Sequence, residues 1–307
     1  MKVFFTSSSQ GHESLFYWPQ GFEDFLRMWS PQRAIEVAPV PPSLLGVSLR
    51  HGCQGTHVLF SHSGPLRDAW RVAAYHSKDI SELSSVSFNP ETLEKADGIV
   101  VKGENFNHPL AISTADCLAV AMTLEDAQGI QSAACFHAGW RGYTAGIQQT
   151  VIEWMKIRSL KESPVNIQDI LKKIYVTISP AIAGRQYPCG RDVEDAMCEH
   201  LELRLKNQPR WSIHHESAFS RALQHAEPKR AQAGKIYPDL QALMIIELHA
   251  LGIDLNHISV LRDDTFSSDR WPSHRRAMSQ GLPNAGRMVT HLMPASCPLV
   301  QNHVSNP

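Results

Sequence analysis

The residues able to do chemistry are concentrated in positions 114–146, TADCLAVAMTLEDAQGIQSAACFHAGWRGYTAG. Cys117 offers a thiol, which as thiolate is a nucleophile or a soft metal ligand. His137 offers an imidazole, either a general base or a second ligand. Arg141 comes just before a helical pattern, and free backbone N–H groups at a helix start favour an anion. A thiol, an imidazole and an anion contact at one sheet edge would form a catalytic floor, with Cys117, His137 and Arg141 as its candidate catalytic residues.

Whether these side chains meet depends on the elements that carry them. Residues 117–124 (CLAVAMTL) are apolar and free of Gly and Pro, as in a strand buried on both faces. Residues 125–129 (EDAQG) are turn-like, and 130–137 (IQSAACFH) form a second strand, so the two predict a hairpin. Antiparallel pairing sets the start of one strand beside the end of the other, which puts Cys117 and His137 at the same end. Residues 138–142 then predict a glycine-punctuated turn. A helix follows, with Ile147, Val151 and Met155 four apart and Trp154 on the same side. Taken singly, a cysteine in an apolar strand is usually a small hydrophobe, and a lone histidine at a strand end usually a hydrogen-bonded surface or core residue. Their conjunction is what favours function.

Composition narrows the classes. The 307 residues carry a net charge of −1, which offers no electrostatic case for nucleic acid or a membrane surface as partner. No apolar run reaches the roughly 18 residues of a membrane span, and residues 1–18 are a poor signal peptide, so a cytoplasmic location is expected. The six cysteines, Cys53, Cys117, Cys135, Cys189, Cys198 and Cys297, form no CxxC pair and are expected to be free thiols. Oligomeric state is not legible.

Along the chain, residues 2–6 predict a strand and 22–29 a short amphipathic helix ended by Pro31. Residues 45–60 predict a strand, a glycine kink and a second strand. Residues 61–93 are polar and irregular, expected as a surface insertion anchored by Trp70, Val72 and Tyr75. Strands are expected at 95–102, 175–182, 257–262 and 286–292, and helices ending near 174, over 192–205 and over 239–251. The last of these has Pro238 before it, an apolar face of Leu240, Leu243, Met244 and Leu248, and Gly252 as a stop. His214 and His215 are adjacent and, on a strand, would point apart. This irregular order predicts an α+β class: mixed sheets packed with peripheral helices in one domain over 1–294, and a disordered tail over 295–307.

The combination of TADCLAV with FHAGWRGYTAGI resembles the laccase-domain family, described as polyphenol oxidase-like proteins, peptidoglycan-editing factors and zinc-dependent purine nucleoside phosphorylases. Residues 45–292 resemble it with gaps, through KADG at 95–98, SPAI at 179–182, PSHRR at 272–276 and NAGRM at 284–288. Three departures stand out. The opening TSSSQG lacks the family's arginine, Asp264 stands in place of a cysteine, and His274 stands in place of a tyrosine.

The resemblance implies a zinc ion held by Cys117, His137 and a histidine from an earlier Gln-x-His-Gly sequence, with copper the less favoured ion. For that third ligand the gap-free register selects Gln54, a poor zinc ligand, whereas matching on His-Gly selects His51. His51 is then the candidate metal ligand and Gln54 a substrate contact. His57 is a third option, although on a strand it faces away from Gln54. Asp97 is either a structural turn residue or a substrate contact. Arg185, with Tyr187, is a candidate pocket residue, and Arg275, Arg276 and Arg287 are candidate phosphate contacts.

The implied activity is phosphorolysis of adenosine or inosine, or deamination of adenosine, with a nucleoside and phosphate as small-molecule partners. Two alternatives compete. A metal-independent hydrolase or deamidase would use Cys117 as nucleophile and His137 as base. A degenerate homologue would bind a nucleoside or a protein without turnover.

Overall fold

The apolar run after Cys117 becomes the middle of the larger of two sheets. The computed structural model describes residues 2–6, 36–37, 69–72, 80–82, 97–102, 110–162, 166–226, 231–283, 285 and 288–293. The expected elements at 22–29 and 45–60, the tail at 295–307, and His51, Gln54, His57, Tyr75 and Arg287 lie outside the described residues. The first five described strands are β1 (Lys2–Thr6), β2 (Glu36–Val37), β3 (Ala69–Val72), β4 (Ile80–Glu82) and β5 (Gly98–Lys102). Then come β6 (Leu110–Thr114), β7 (Leu118–Asp126), β8 (Gly129–Ala138), β9 (Ile174–Ile178), β10 (Ile258–Val260) and β11 (Met288–Met293).

Seven of these form a mixed sheet in the order β10-β9-β7-β8-β5-β3-β4, and four form a second sheet in the order β2-β1-β11-β6. β10 and β9 pair in parallel, as do β1 and β2, and the other pairs are antiparallel. The fold is therefore α+β, as expected. One expectation fails: residues 61–93 are not wholly irregular, because β3 and β4 extend the large sheet beyond β5, with Trp70 paired to both Glu82 and Val100.

The central hairpin forms where predicted but with a tighter turn. β7 runs on to Asp126, the turn shrinks to Ala127 and Gln128, and a register shift after Leu124 absorbs the difference. Gly129, at φ 118, accepts a conformation that other residues resist. Alternation in β7 and β8 sorts side chains by size. Leu118, Val120, Met122 and Phe136 face the helices in the main apolar cluster. Ala119, Ala121, Ala133 and Cys135 are buried but lie outside that cluster, on the alternate positions. Their small size suits the approach of β6 and β11 from the second sheet.

The helices are α1 (Trp140–Ala145), α2 (Ile147–Glu162), α3 (Ile167–Leu171), α4 (Arg191–His200), α5 (Ile213–Leu223), α6 (Leu240–Leu251) and α7 (His274–Ser279). α2 buries Ile147, Val151, Trp154 and Met155, as its periodicity predicts. α6 is not amphipathic: every residue but His249 is buried, so it is an interior helix and not a peripheral one. Asp239 caps it by accepting from the Ala242 amide at 3.0 Å, and Gly252, at φ 112, ends it. None of the described helices is long and apolar enough to cross a membrane.

His214 and His215 lie not on a strand but in the first turn of α5, which Ser212 precedes. Ser212 Oγ and His215 Nδ1 are 2.8 Å apart, a local bond available only when the chain turns helical there. His215 Nε2 in turn meets His249 Nδ1 at 2.9 Å, and the rings stack. Burial, then the neighbouring His249 and His214, pushes His215 down from 6.5 to about 4, and burial also lowers His249. Above 6.5 both folded and unfolded chains are neutral there. As pH falls toward 4 the unfolded chain gains protons that the folded one refuses, so stability is lost across that window. We expect urea midpoints to fall between pH 7 and pH 4.5, and less steeply in His215→Gln. Equal slopes in variant and wild type would remove the pair from the acid response.

Candidate active site at the sheet corner

The chain leaves the small sheet at Thr114 and enters the large one at Leu118, turning through Ala115, Asp116 and Cys117. Asp116 makes the corner with φ 80, the one positive φ among the described non-glycine residues. Aspartate tolerates that region better than most residues, and the surroundings hold it there. Its Oδ1 accepts from Thr265 Oγ1 at 2.6 Å, its Oδ2 from the Arg275 amide at 2.7 Å, and its carbonyl from the Ile182 amide at 3.0 Å. Sequence reasoning missed Asp116. The available signal was an aspartate directly before a cysteine at the junction of two strand-like runs.

β7 and β8 pair Leu118 with Ala138 and Ala119 with His137. The two-residue pleat therefore puts Cys117 and His137 on one face, the face of the small side chains. Gly139 shows how closely they converge: a Cβ there would lie 3.1 Å from Cys117 Sγ and 3.6 Å from His137 Nε2. Any larger residue would fill the space that both side chains border. Asp97, just before β5, holds His137 from behind. Its carbonyl accepts the His137 amide at 2.6 Å, and its Oδ1 lies 3.4 Å from Nδ1. Burial disfavours the charged ring, but Asp97 and Cys117 outweigh it and hold the imidazolium up to about 10. A metal ion at Nε2 would have to displace that proton.

A further wall comes from the 3₁₀ turn Gly184–Gln186 and the residues just after it. Tyr187 is close enough to Cys189 and Cys117 that burial and their charges push its phenol well above the ordinary range. Burial, opposed by Arg275, pushes Cys189 up to about 11. The Arg275 guanidinium lies 5.4 Å from the Tyr187 ring centre.

The structure sorts the remaining candidates. Asp97 is buried and aligned with His137. Arg141 does not precede its helix. Only Gly139 separates β8 from α1, so Arg141 is the second residue of that helix, exposed and stacked 4.1 Å over Trp140. Arg185 pairs with Asp264 at 3.6 Å. The Arg276 guanidinium donates to the carbonyls of Thr265, Phe266, Ser268 and Trp271 and so ties a loop together. Asp264 accepts the Ala183 and Phe266 amides and the Ser267 hydroxyl, so a structural carboxylate occupies the position of the family's cysteine.

A thiolate and an imidazole are a suitable donor pair for zinc or copper(I), and a carboxylate behind the imidazole is the usual support. Cys117, His137 and Asp97 fit that role. Among the described residues no three His, Cys, Asp or Glu side chains form a complete cluster. The candidate third donors at 51, 54 and 57 lie outside them.

An α+β fold of mixed sheets with a thiol–imidazole pair at a sheet corner defines a class of Cys–His site proteins. The model of one family, described as multi-copper polyphenol oxidoreductase laccase, matches residues 57–295, and the chain belongs to that family. A purine nucleoside phosphorylase of Pseudomonas aeruginosa is 29% identical over 172 residues, covering 55% of this chain and 56% of that protein. A purine nucleoside phosphorylase of Deinococcus radiodurans is 37% identical over 84 residues, covering 27% of this chain and 28% of that protein. The chain thus matches at most little more than half the length of either relative. Among solved structures, a Neisseria meningitidis protein matches at 27% identity and TM-score 0.45, covering 64% of each chain. YlmD of Geobacillus stearothermophilus matches at 24% identity and TM-score 0.47, covering 64% of this chain and 59% of that one.

Proposed function

We propose that this chain is a metal-dependent purine nucleoside enzyme, cleaving adenosine or inosine with phosphate or deaminating adenosine, at a zinc site that includes Cys117 and His137. The observation that carries this reading is the convergence of Sγ and Nε2 beside Gly139, with Asp97 behind the ring. The names of the two relatives support the substrate class.

Bound zinc would supply a Lewis acid next to the substrate. The protein's own groups do the rest. Asp97 accepts the Nδ1 proton and fixes the ring, so that a metal replacing the Nε2 proton would meet a defined lone pair. Arg275, beside Tyr187, is the described guanidinium best placed to bind phosphate. In phosphorolysis a phosphate oxygen bonds to C1′ as the bond from C1′ to the purine nitrogen breaks. The purine leaves with that electron pair and takes up a proton. Free thiols at Cys117, Cys135, Cys189 and Cys198 suit the reducing cytoplasm in which we place the protein.

The deciding experiment is elemental analysis of the purified chain, with about one equivalent of zinc expected. Copper in its place would assign the same donors to the ion that the family description names. If Asp97 supports the ligand, Asp97→Asn should weaken zinc retention about 10- to 100-fold in competition with a chromophoric chelator. Unchanged retention would leave Asp97 a purely structural residue.

A second reading has one specific observation in its favour. Cys117, His137 and Asp97 stand in the order nucleophile, base and orienting carboxylate, as in a cysteine hydrolase. Metal-free protein whose Cys117 is rapidly alkylated would support it over the zinc enzyme.

A further inference from the structure

Asp116 combines a backbone conformation suited to glycine with a carboxylate that reaches distant segments. Its φ is 80, and its side chain is buried. Oδ1 accepts from Thr265 Oγ1, 149 positions away, at 2.6 Å, and Oδ2 accepts from the Arg275 amide, 159 positions away, at 2.7 Å. We propose that Asp116 is a positioning residue of the reaction site: its backbone sets Cys117 and its side chain sets Arg275, so that one residue fixes the spacing between sulfur and guanidinium. This role rests on the function proposed above in one respect, that Arg275 is the contact for phosphate.

The backbone and the side chain have separable tasks. A positive φ alone would be met more easily by glycine, which has no Cβ to clash. With it, the bond from the Ile182 amide to the Asp116 carbonyl at 3.0 Å holds the corner just before Cys117. The carboxylate instead reaches out of the corner to the first turn of α7, a helix too short to be stable alone. Ser273 caps that helix by accepting the Arg276 amide at 3.1 Å. This cap is a bond within one segment, and it does not fix where the helix sits against Cys117.

The loop that carries Arg275 is braced internally. The Arg276 guanidinium gathers four of its carbonyls, and Trp271 Nε1 donates to Asp263 Oδ2 at 2.9 Å. Those bonds give the loop its shape. Both bonds of the Asp116 carboxylate end on it, at Thr265 and Arg275, and give it a place against the corner. The Arg275 guanidinium then lies 5.4 Å from the centre of the Tyr187 ring, which is itself near Cys117. Misplacing a substrate-holding group by about 1 Å can cost on the order of 100-fold in rate, so such a tether matters to turnover.

The test is calorimetric titration of the full chain with inorganic phosphate, beside elemental analysis for zinc and a urea midpoint. Asp116→Gly keeps the corner and removes the tether, so zinc content should equal that of wild type while phosphate binds about tenfold more weakly. Asparagine tolerates the same φ, and its amide can donate to a Thr265 hydroxyl that turns to accept. Asp116→Asn should therefore restore binding to within about threefold of wild type. The double variant Asp116→Gly/Arg275→Gln should bind no more weakly than Arg275→Gln, because the tether acts through that residue. Should Asp116→Gly not fold, Thr265→Val releases one oxygen of the same carboxylate and should also weaken phosphate at unchanged zinc. The proposal is overturned if wild type binds no phosphate saturably, if the untethered variant binds it as wild type does, or if the two substitutions add in full. Zinc, phosphate affinity and urea midpoint falling together would overturn it too, since a purely structural aspartate predicts that. Wild type that holds no zinc yet shows the same pattern with phosphate would end the zinc-enzyme reading and leave the role of Asp116 standing.

Discussion

Cys117→Ser is expected to abolish stoichiometric zinc and to lower phosphate-dependent release of hypoxanthine from inosine on the order of 100-fold or more. Loss of a group that merely supports a ligand already costs about 10- to 100-fold, so loss of the ligand itself should be at least as severe. The substitution is nearly isosteric, and Cys117 lies at the corner and not in the sheet core. The variant should therefore unfold at the same urea concentration as zinc-stripped wild type, since only the ligand-linked stability is lost. Matching zinc content and turnover in variant and wild type would end the claim that this sulfur holds the metal. Matching turnover in zinc-stripped and zinc-loaded wild type would instead point to the thiol hydrolase.

The largest effect on stability should come from a residue far from that chemistry. Glu247 lies in the middle of α6 with no exposed surface, an ionised side chain within an apolar run. Gln148 donates to it at 2.7 Å and Gln149 at 2.8 Å, and His200 lies at 2.9 Å. Although burial opposes the charge, these partners pull the carboxyl below its ordinary value. Glu247→Ala would leave His200 and two amides facing a void, and each buried polar group left without its partner costs about 1–3 kcal/mol. Glu247→Gln keeps the shape and two of the bonds, and should cost about 1–2 kcal/mol. Chemical denaturation at pH 7 reads both. A Glu247→Ala loss below about 1 kcal/mol would mean that the network is not what joins α2, α4 and α6.

Legibility tracked the range of the interactions. The 3.6-residue period in α2 and the capped ends of α6 depend on neighbours within a few positions, and both formed where their residues indicated. Arg141, expected ahead of its helix, went the other way, and the adjacent histidines His214 and His215 proved helical. One glycine was enough to start α1, and a side-chain bond between Ser212 and His215 favoured a helix over a strand. Residues 69–72 and 80–82 carry too little pattern to announce a strand, and became one because β5 offered an unpaired edge.

By itself, the sequence determined that a cysteine and a histidine would share one end of a hairpin, because two apolar runs joined by a short turn have essentially one way to pair. It also determined the α+β class and, through FHAGWRGYTAGI, the family. Only the tertiary structure decided that Asp97 aligns the histidine, that Asp116 bends the corner, that Arg276 ties a loop, and that Glu247 gathers Gln148, Gln149 and His200. Those contacts join residues dozens of positions apart, and hydrophobic periodicity carries no information about which distant polar groups burial will bring face to face.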